Sequence, residues 1–137
     1  ARAGGEVVGI SSGIPLVAET EEVKAPFIAA GIDPAGVFYF GESVLLPAWR
    51  GRGVGVRFFE EREAYARALP EVRMAAFCAV DRAVDHPMRP ADYVALDGFW
   101  KNRGFVKSDL RTEFTWKEIG EDAPSPKPLT FWLKDLR

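Results

Sequence analysis

Two apolar runs joined by one amphipathic helix restrict this chain more than any other feature. Val37–Leu46 is almost wholly apolar and rich in β-branched and aromatic residues, and Val72–Val80 is a second such run. Runs of this length fit strands covered on both faces. Between them, Val54–Leu69 places Val54, Phe58, Tyr65 and Leu69 on one helical face, flanked by Phe59 and Ala66. Glu60, Glu63 and Arg67 lie on the wet side, and Pro70 ends the helix. Strand, crossover helix and strand make a βαβ unit, so the two strands are expected to be parallel. Arg62 falls inside the apolar stripe and must either snorkel out or find a partner. Two residues interrupt the first run. Gly41 predicts a bulge or a close backbone approach. Glu42 places a carboxylate inside a strand expected to be buried.

The turn between the first strand and the helix carries the chemistry. After Pro47, glycines recur at Gly51, Gly53 and Gly55, with Arg50, Arg52 and Arg57 among them. Glycines let a backbone approach a ligand closely. Free N–H groups at a helix start, aided by the helix dipole, favour an anion there. Arginines add charge-assisted hydrogen bonds to phosphate oxygens. The loop is not a P-loop, because no Gly-Lys-Ser/Thr closes it. It is not the dinucleotide fingerprint either: counted from Gly51, the third glycine would fall at Val56.

Ala1–Gly5 is a turn. Glu6–Ile10 is a short strand, the second arm of a hairpin whose first arm is barely present, and Ser11–Pro15 breaks it. Pro15–Gly31 holds a short helix, with Pro26 confining it to one side or the other. Asp33-Pro34 makes a turn before the first apolar run. Asp81–Pro90 is a loop, and Tyr93–Arg103 is a helix stopped by Gly104. Leu110–Ile119 alternates, with Leu110, Phe114 and Trp116 inward. Gly120–Pro128 is a polar loop, and Leu129–Leu136 is a last strand that pairs back as a long-looped hairpin.

Composition bounds the function classes. The 137 residues are 47% apolar, which suits one domain with its own core over residues 1–137. A net charge of −2 gives no global pull toward nucleic acid. Phe38, Phe40, Trp49, Trp116 and Trp132 read as core and sheet packing, since no dense basic patch accompanies them. No run of about 18 apolar residues predicts a membrane span. Cys78 is the one cysteine, so no internal disulfide forms, and a reducing, cytoplasmic setting is the natural expectation. One histidine and one cysteine give no metal-ligand spacing, so no metal is expected.

The order Arg-x-x-Gly-x-Gly at Arg50, Gly53 and Gly55, after an apolar strand leading to Pro47, resembles the acetyl-CoA pyrophosphate loop of the GNAT N-acetyltransferase superfamily. A second segment, Leu96–Phe105, carries helix aromatics and then Arg103-Gly104-Phe105, and resembles the C-terminal part of the GNAT core. The resemblance implies an α/β (α+β) fold: a mixed, partly parallel central sheet flanked by helices. It also implies that the superfamily's first strand and helices would lie ahead of Ala1.

The same resemblance assigns roles. Acetyl-CoA would be the co-substrate. Backbone N–H groups from Arg52 through Gly53, Val54 and Gly55 to Val56 would take its pyrophosphate, with Arg50, Gly51 and Arg57 completing the loop. Main-chain groups of Val44, Leu45 and Leu46 would bind the pantetheine arm, where this strand splays from the next. An alkylammonium with a pKa of about 10.4 is no nucleophile, so the acceptor amine needs a base. Glu42 occupies the place of the usual GNAT base, which acts through water; burial would raise its pKa toward the working range. Its alternative role is to fix a bulge or pair with an arginine.

Many GNAT enzymes place an acidic Tyr four residues before the Gly of Gly-Phe, and here that residue is Trp100. Tyr93 could substitute if its helix points it inward, or it is a packed aromatic. His86, in the loop after the second buried strand, could share proton transfer, or it is a solvated loop residue. Asp81 could bind a cationic acceptor or cap a turn. Cys78 reads as a buried apolar residue, with direct attack by the amine as the route. The acceptor would be a small-molecule or peptide amine, facing an acidic opening of Glu19, Glu21, Glu22, Glu42, Asp81 and Asp85. Homodimers are common in the superfamily. The competing expectation is a GNAT-like module that binds acyl-CoA without transferring it.

Overall fold

Hydrogen bonding between the apolar runs organises the sheet in the computed structural model, which describes residues 1–137. The strands are β1 (Arg2–Ala3), β2 (Glu6–Val7), β3 (Gly9–Pro15), β4 (Val37–Leu45), β5 (Met74–Val80), β6 (Val106–Trp116) and β7 (Ser125–Asp135). The helices are α1 (Glu21–Ala29), α2 (Val54–Ala68) and α3 (Asp97–Lys101). β1 and β2 form a tight hairpin by themselves, so the first arm is as short as expected. The other five strands form one sheet in the order β3-β4-β5-β7-β6. β4 and β5 are parallel, as the βαβ unit requires, and the remaining neighbours are antiparallel.

Alternation along the central strands divides the core in two. Phe38 and Phe40 of β4, Ala75 and Phe77 of β5 and Trp132 of β7 face α2, where Phe59 and Ala66 meet them. Val37, Tyr39, Ala76 and Phe131 face the other way, onto Val23 and Phe27 of α1. Each fully buried aromatic or aliphatic side chain contributes about 1.5–3 kcal/mol.

Five local expectations are corrected. Ser11–Pro15 is strand rather than break, because Gly13, Ile14 and Pro15 pair with Phe40, Tyr39 and Phe38 of β4. A Cβ on Gly13 would lie 2.5 Å from Phe38 Cε1, so this close pairing requires glycine. α1 runs through Pro26. A proline there cannot donate to the Glu22 carbonyl four residues back. Thr112 Oγ1 of β6 donates to that carbonyl instead, at 2.6 Å. The buried stripe of α2 is Phe59, Arg62 and Ala66, turned from the predicted face, and Tyr65 is exposed at its edge beside Phe38. The helix expected over Tyr93–Arg103 is only α3, since Tyr93 sits in a turn closed by its N–H to the Pro90 carbonyl. β7 begins at Ser125, inside the predicted loop. Pro126 and Pro128 lie past the last β5 pair, Val80–Leu129, and on the β5 side Pro128 offers only its carbonyl, which accepts the Asp81 N–H at 2.8 Å.

Candidate functional site

β4 and β5 share only three residue pairs, Val37–Met74, Phe38–Ala75 and Tyr39–Ala76. Beyond Tyr39 the two strands part. The cause lies in β4, where a bulge sets Ser12 of β3 opposite both Gly41 and Glu42. The Glu42 N–H donates to Ser12 Oγ at 3.0 Å, and a Cβ on Gly41 would lie 2.7 Å from that oxygen. The close approach expected at Gly41 is therefore real. The outer half of β4 is exposed, and so is Glu42. That corrects the expectation of a buried carboxylate: the run is apolar along its length, but only its first half is covered.

The parted strands open a cleft of about 1160 Å³, walled by β4, the start of α2, the end of β5, the loop 81–96 and α3. Glu42, His86 and Tyr93 all line it, although they come from three separate parts of the chain. His86 is half-buried, and its Nδ1 accepts from the Met88 N–H at 3.2 Å. Tyr93 is half-exposed, with the Arg89 guanidinium 5.1 Å from its ring centre. Trp100 is committed to packing, its ring centre 5.1 Å from those of Phe77 and Trp132.

The glycine-rich turn meets this cleft through Gly55, which lines it, while Gly51 and Gly53 lie outside the lining. Gly51 and Gly53 adopt φ of +70° and +79°, a left-handed conformation open to glycine at little cost. Gly53 is the N-cap of α2, and no side chain caps that helix. The first-turn N–H groups at Val54, Gly55 and Val56 therefore lack side-chain partners, and nothing lies within 4 Å of a Cβ built on Gly53. These donors fit a diphosphate. The arginines divide. Arg50 Nε donates to the Leu45 carbonyl at 3.3 Å, and Arg52 lies 4.8 Å from the Trp49 ring centre. Arg57 pairs with Glu60 at 2.8 Å and with Glu61, so its charge is already matched on its own helix. Val44 is exposed and Leu45 half-buried at the end of β4, where β3 but not β5 pairs with it, and Leu46, just past the strand, is exposed.

Solved structures decide what this architecture is. A GNAT-like decarboxylase, GphF, in complex with isobutyryl-CoA matches at a TM-score of 0.63 and 16% identity, over 100% of this chain and 76% of that one. A GNAT family acetyltransferase from Elizabethkingia anophelis with acetyl-CoA bound matches at 0.60 and 8% identity, over 98% and 72%. This is the GNAT fold. An N-acetyltransferase from Staphylococcus aureus Mu50 matches it as well, at 0.60 and 14% identity, over 99% of this chain and 65% of that one. Neither a family model nor a curated protein matches the sequence.

Within the GNAT fold, the acidic opening forecast from sequence is largely absent. α1 packs on the sheet face opposite α2, Glu21 is paired with Lys24 at 2.8 Å, and Glu19, Glu21, Glu22 and Asp85 do not line the cleft. Asp81 does line it, but it is engaged. Thr130 Oγ1 donates to it at 2.5 Å and Lys107 Nζ at 3.2 Å. Partial burial pushes its carboxyl up, and Thr130, Lys107 and the charge of Arg111 at 3.9 Å together more than offset this, holding it below the usual carboxylate range. Asp81 thus anchors the start of the loop 81–96.

Cys78 lies half-buried at the cleft floor, 3.0 Å from Tyr39 Oη, and burial pushes both groups up. A thiol held protonated is a poor nucleophile. Ser12 and Lys107 are parts of the site that sequence reasoning missed. Ser12 sat in a stretch read as a break, and Lys107 precedes any visible alternation.

No helix is long and apolar enough to cross a membrane.

Proposed function

We propose that this protein is an N-acetyltransferase that moves an acetyl group from acetyl-CoA to a primary amine by direct attack. One observation carries the proposal. The left-handed Gly51–Gly53 turn delivers an uncapped helix N-terminus to a cleft made by parting β4 from β5. The diphosphate would rest on Arg52–Val56, with the pantetheine arm along Val44, Leu45 and Leu46. Support for a CoA thioester comes from two GNAT-fold neighbours, one solved with acetyl-CoA and one with isobutyryl-CoA.

Glu42 is the base in this reading. Its carboxylate is exposed in the cleft, within reach of a relaying water. The amine nitrogen attacks the thioester carbonyl carbon. The C–N bond forms, the C–S bond breaks, and the amine proton passes through water to Glu42. Sulfur leaves as thiolate, which needs little assistance because a thiol pKa is about 8.5. Tyr93 and His86 are the cleft residues able to return a proton to it. A cytoplasmic setting belongs to the same proposal.

The test is thiol release from acetyl-CoA across a panel of amines. Glu42→Gln should lower kcat by about 10²–10⁴-fold with little change in the KM for acetyl-CoA. An unchanged kcat would remove Glu42 from catalysis. A second reading, an acyl-CoA-binding module without transfer, rests on Trp100, which fills the usual acid's place and is packed against Phe77 and Trp132. Acetyl-CoA binding with no thiol release over the whole panel would favour it.

A further inference from the structure

Arg62 is a buried charge without a counter-ion. It is 9% exposed. No ion pair in the structure includes it, and the neighbouring Glu63 is taken by Lys134 at 2.6 Å. Its Nε donates to the Phe58 carbonyl at 3.0 Å and its Nη1 to the Ser12 carbonyl at 3.3 Å. The rings of Phe40 and Phe59 lie 4.2 and 4.9 Å from the guanidinium carbon. Two carbonyls and two ring faces offset part of the desolvation cost, but none carries a full negative charge. Burial accordingly lowers its pKa to about 10.

A guanidinium has five N–H donors, so three remain after these two bonds. No buried side-chain nitrogen lacks a partner, so Nη2, which makes no hydrogen bond, keeps some contact with solvent. Arg62 lines the main cleft and also a smaller hollow of about 290 Å³ beside β3. The smaller hollow already holds a carboxylate, Glu61, which Arg57 engages. Glu42, Asp81, Asp97 and Glu118 line the main cleft, and none of them forms an ion pair with Arg62.

Ser12 ties this charge to the proposed base. Its carbonyl accepts from Arg62 Nη1 and its hydroxyl accepts from the Glu42 N–H. One residue thus holds the Arg62 guanidinium and the Glu42 backbone, and both residues line the same cleft. We propose that Arg62 is a specificity residue that receives the carboxylate of the acceptor, so that the acceptor is an amino acid, or another amine that carries a carboxylate. The amine lies toward Glu42 and the carboxylate toward Arg62. This inference rests on the transferase reading for the amine's role, but carboxylate capture can be tested without turnover.

The experiment is calorimetric titration of the protein, saturated with coenzyme A, by a panel of N-acetyl-L-amino acids and by matched N-acetylamines lacking the carboxylate. The wild type should bind at least one carboxylate compound about 10- to 150-fold tighter than its counterpart. Arg62→Gln should abolish that difference while coenzyme A binding stays intact. Arg62→Lys, which keeps the charge without the fork, should retain part of it. Equal binding of the matched pairs, or no binding of any carboxylate compound, would overturn the inference. So would a preference that survives in Arg62→Gln. Carboxylate-dependent binding without thiol release from any amino acid would uphold the inference and defeat the transferase reading alone.

Discussion

At the scale of single residues, the structure turns on groups that make up for what a neighbour lacks. Pro26 deprives Glu22 of its helical donor, and Thr112 supplies one from another element. Thr112→Val should cost about 1 kcal/mol in chemical denaturation, since the carbonyl loses its partner. Pro26→Ala restores a backbone N–H at that site. The double variant Pro26→Ala/Thr112→Val should therefore recover most of the loss, and a double-mutant cycle with no coupling would dismiss the pairing. Sequence reading could find Pro26 as a problem but not its solution, because Thr112 lies 90 positions from Glu22's bonded carbonyl. Glu42 shows the same limit. Its apolar neighbours predicted burial, but the bulge at Ser12 sends that half of β4 to the surface.

At the scale of elements, strands and the glycine-rich turn were readable, and helix extents were not. The βαβ unit and the Gly51–Gly55 turn follow from local pattern, since apolar runs and glycines act where they stand. The rotation of α2 does not: the pattern sets Arg62 within the stripe but centres that stripe on Phe58 and Tyr65, whereas burial centres on Phe59, Arg62 and Ala66, with the guanidinium over Phe40 and Phe59. The β6–β7 connection illustrates a polar element with its own chemistry. Both carboxylate oxygens of Glu121 accept from Lys127 Nζ, at 2.9 and 3.0 Å, and Ser125 Oγ donates at 2.7 Å. The Glu118 N–H adds a fourth bond at 2.8 Å. That backbone N–H above all, then Lys127 and Ser125, holds the Glu121 carboxyl down at about 2 against an ordinary 4.5.

A carboxyl depressed by folding contributes stability above its unfolded pKa and loses it as pH falls through the folded value. The hairpin should therefore loosen between pH 4.5 and about 2. Lys127 Nζ also donates to the Trp116 carbonyl at 3.3 Å, so indole fluorescence reports the change. Glu121→Gln should flatten that acid transition. An identical transition in the variant would assign it elsewhere.

At the scale of the whole molecule, one sheet does two tasks. Its paired half, β4 to β5 up to Tyr39, carries the two-sided core, and its parted half makes the cleft. The glycine turn is left-handed at Gly51 and Gly53, and it is open because no side chain caps α2. The candidate catalytic groups are spread over β4 and the loop 81–96, so their convergence on one cleft could not be read from spacing along the chain. The family resemblance supplied that grouping, and the fold places all three candidates on the cleft lining.

The most direct test of the acyl-CoA turn is calorimetric titration with acetyl-CoA, wild type against Gly53→Val. The wild type should bind one equivalent. A β-branched residue at φ +79° costs about 1–2 kcal/mol in backbone strain alone and sets a side chain where the diphosphate would rest, so the variant should bind at least about tenfold more weakly. No free-state contact lies within 4 Å of that Cβ, so the variant should still fold, and its circular dichroism should match the wild type. No binding by the folded wild type, or equal binding by both proteins, would contradict a phosphate-holding role for this turn.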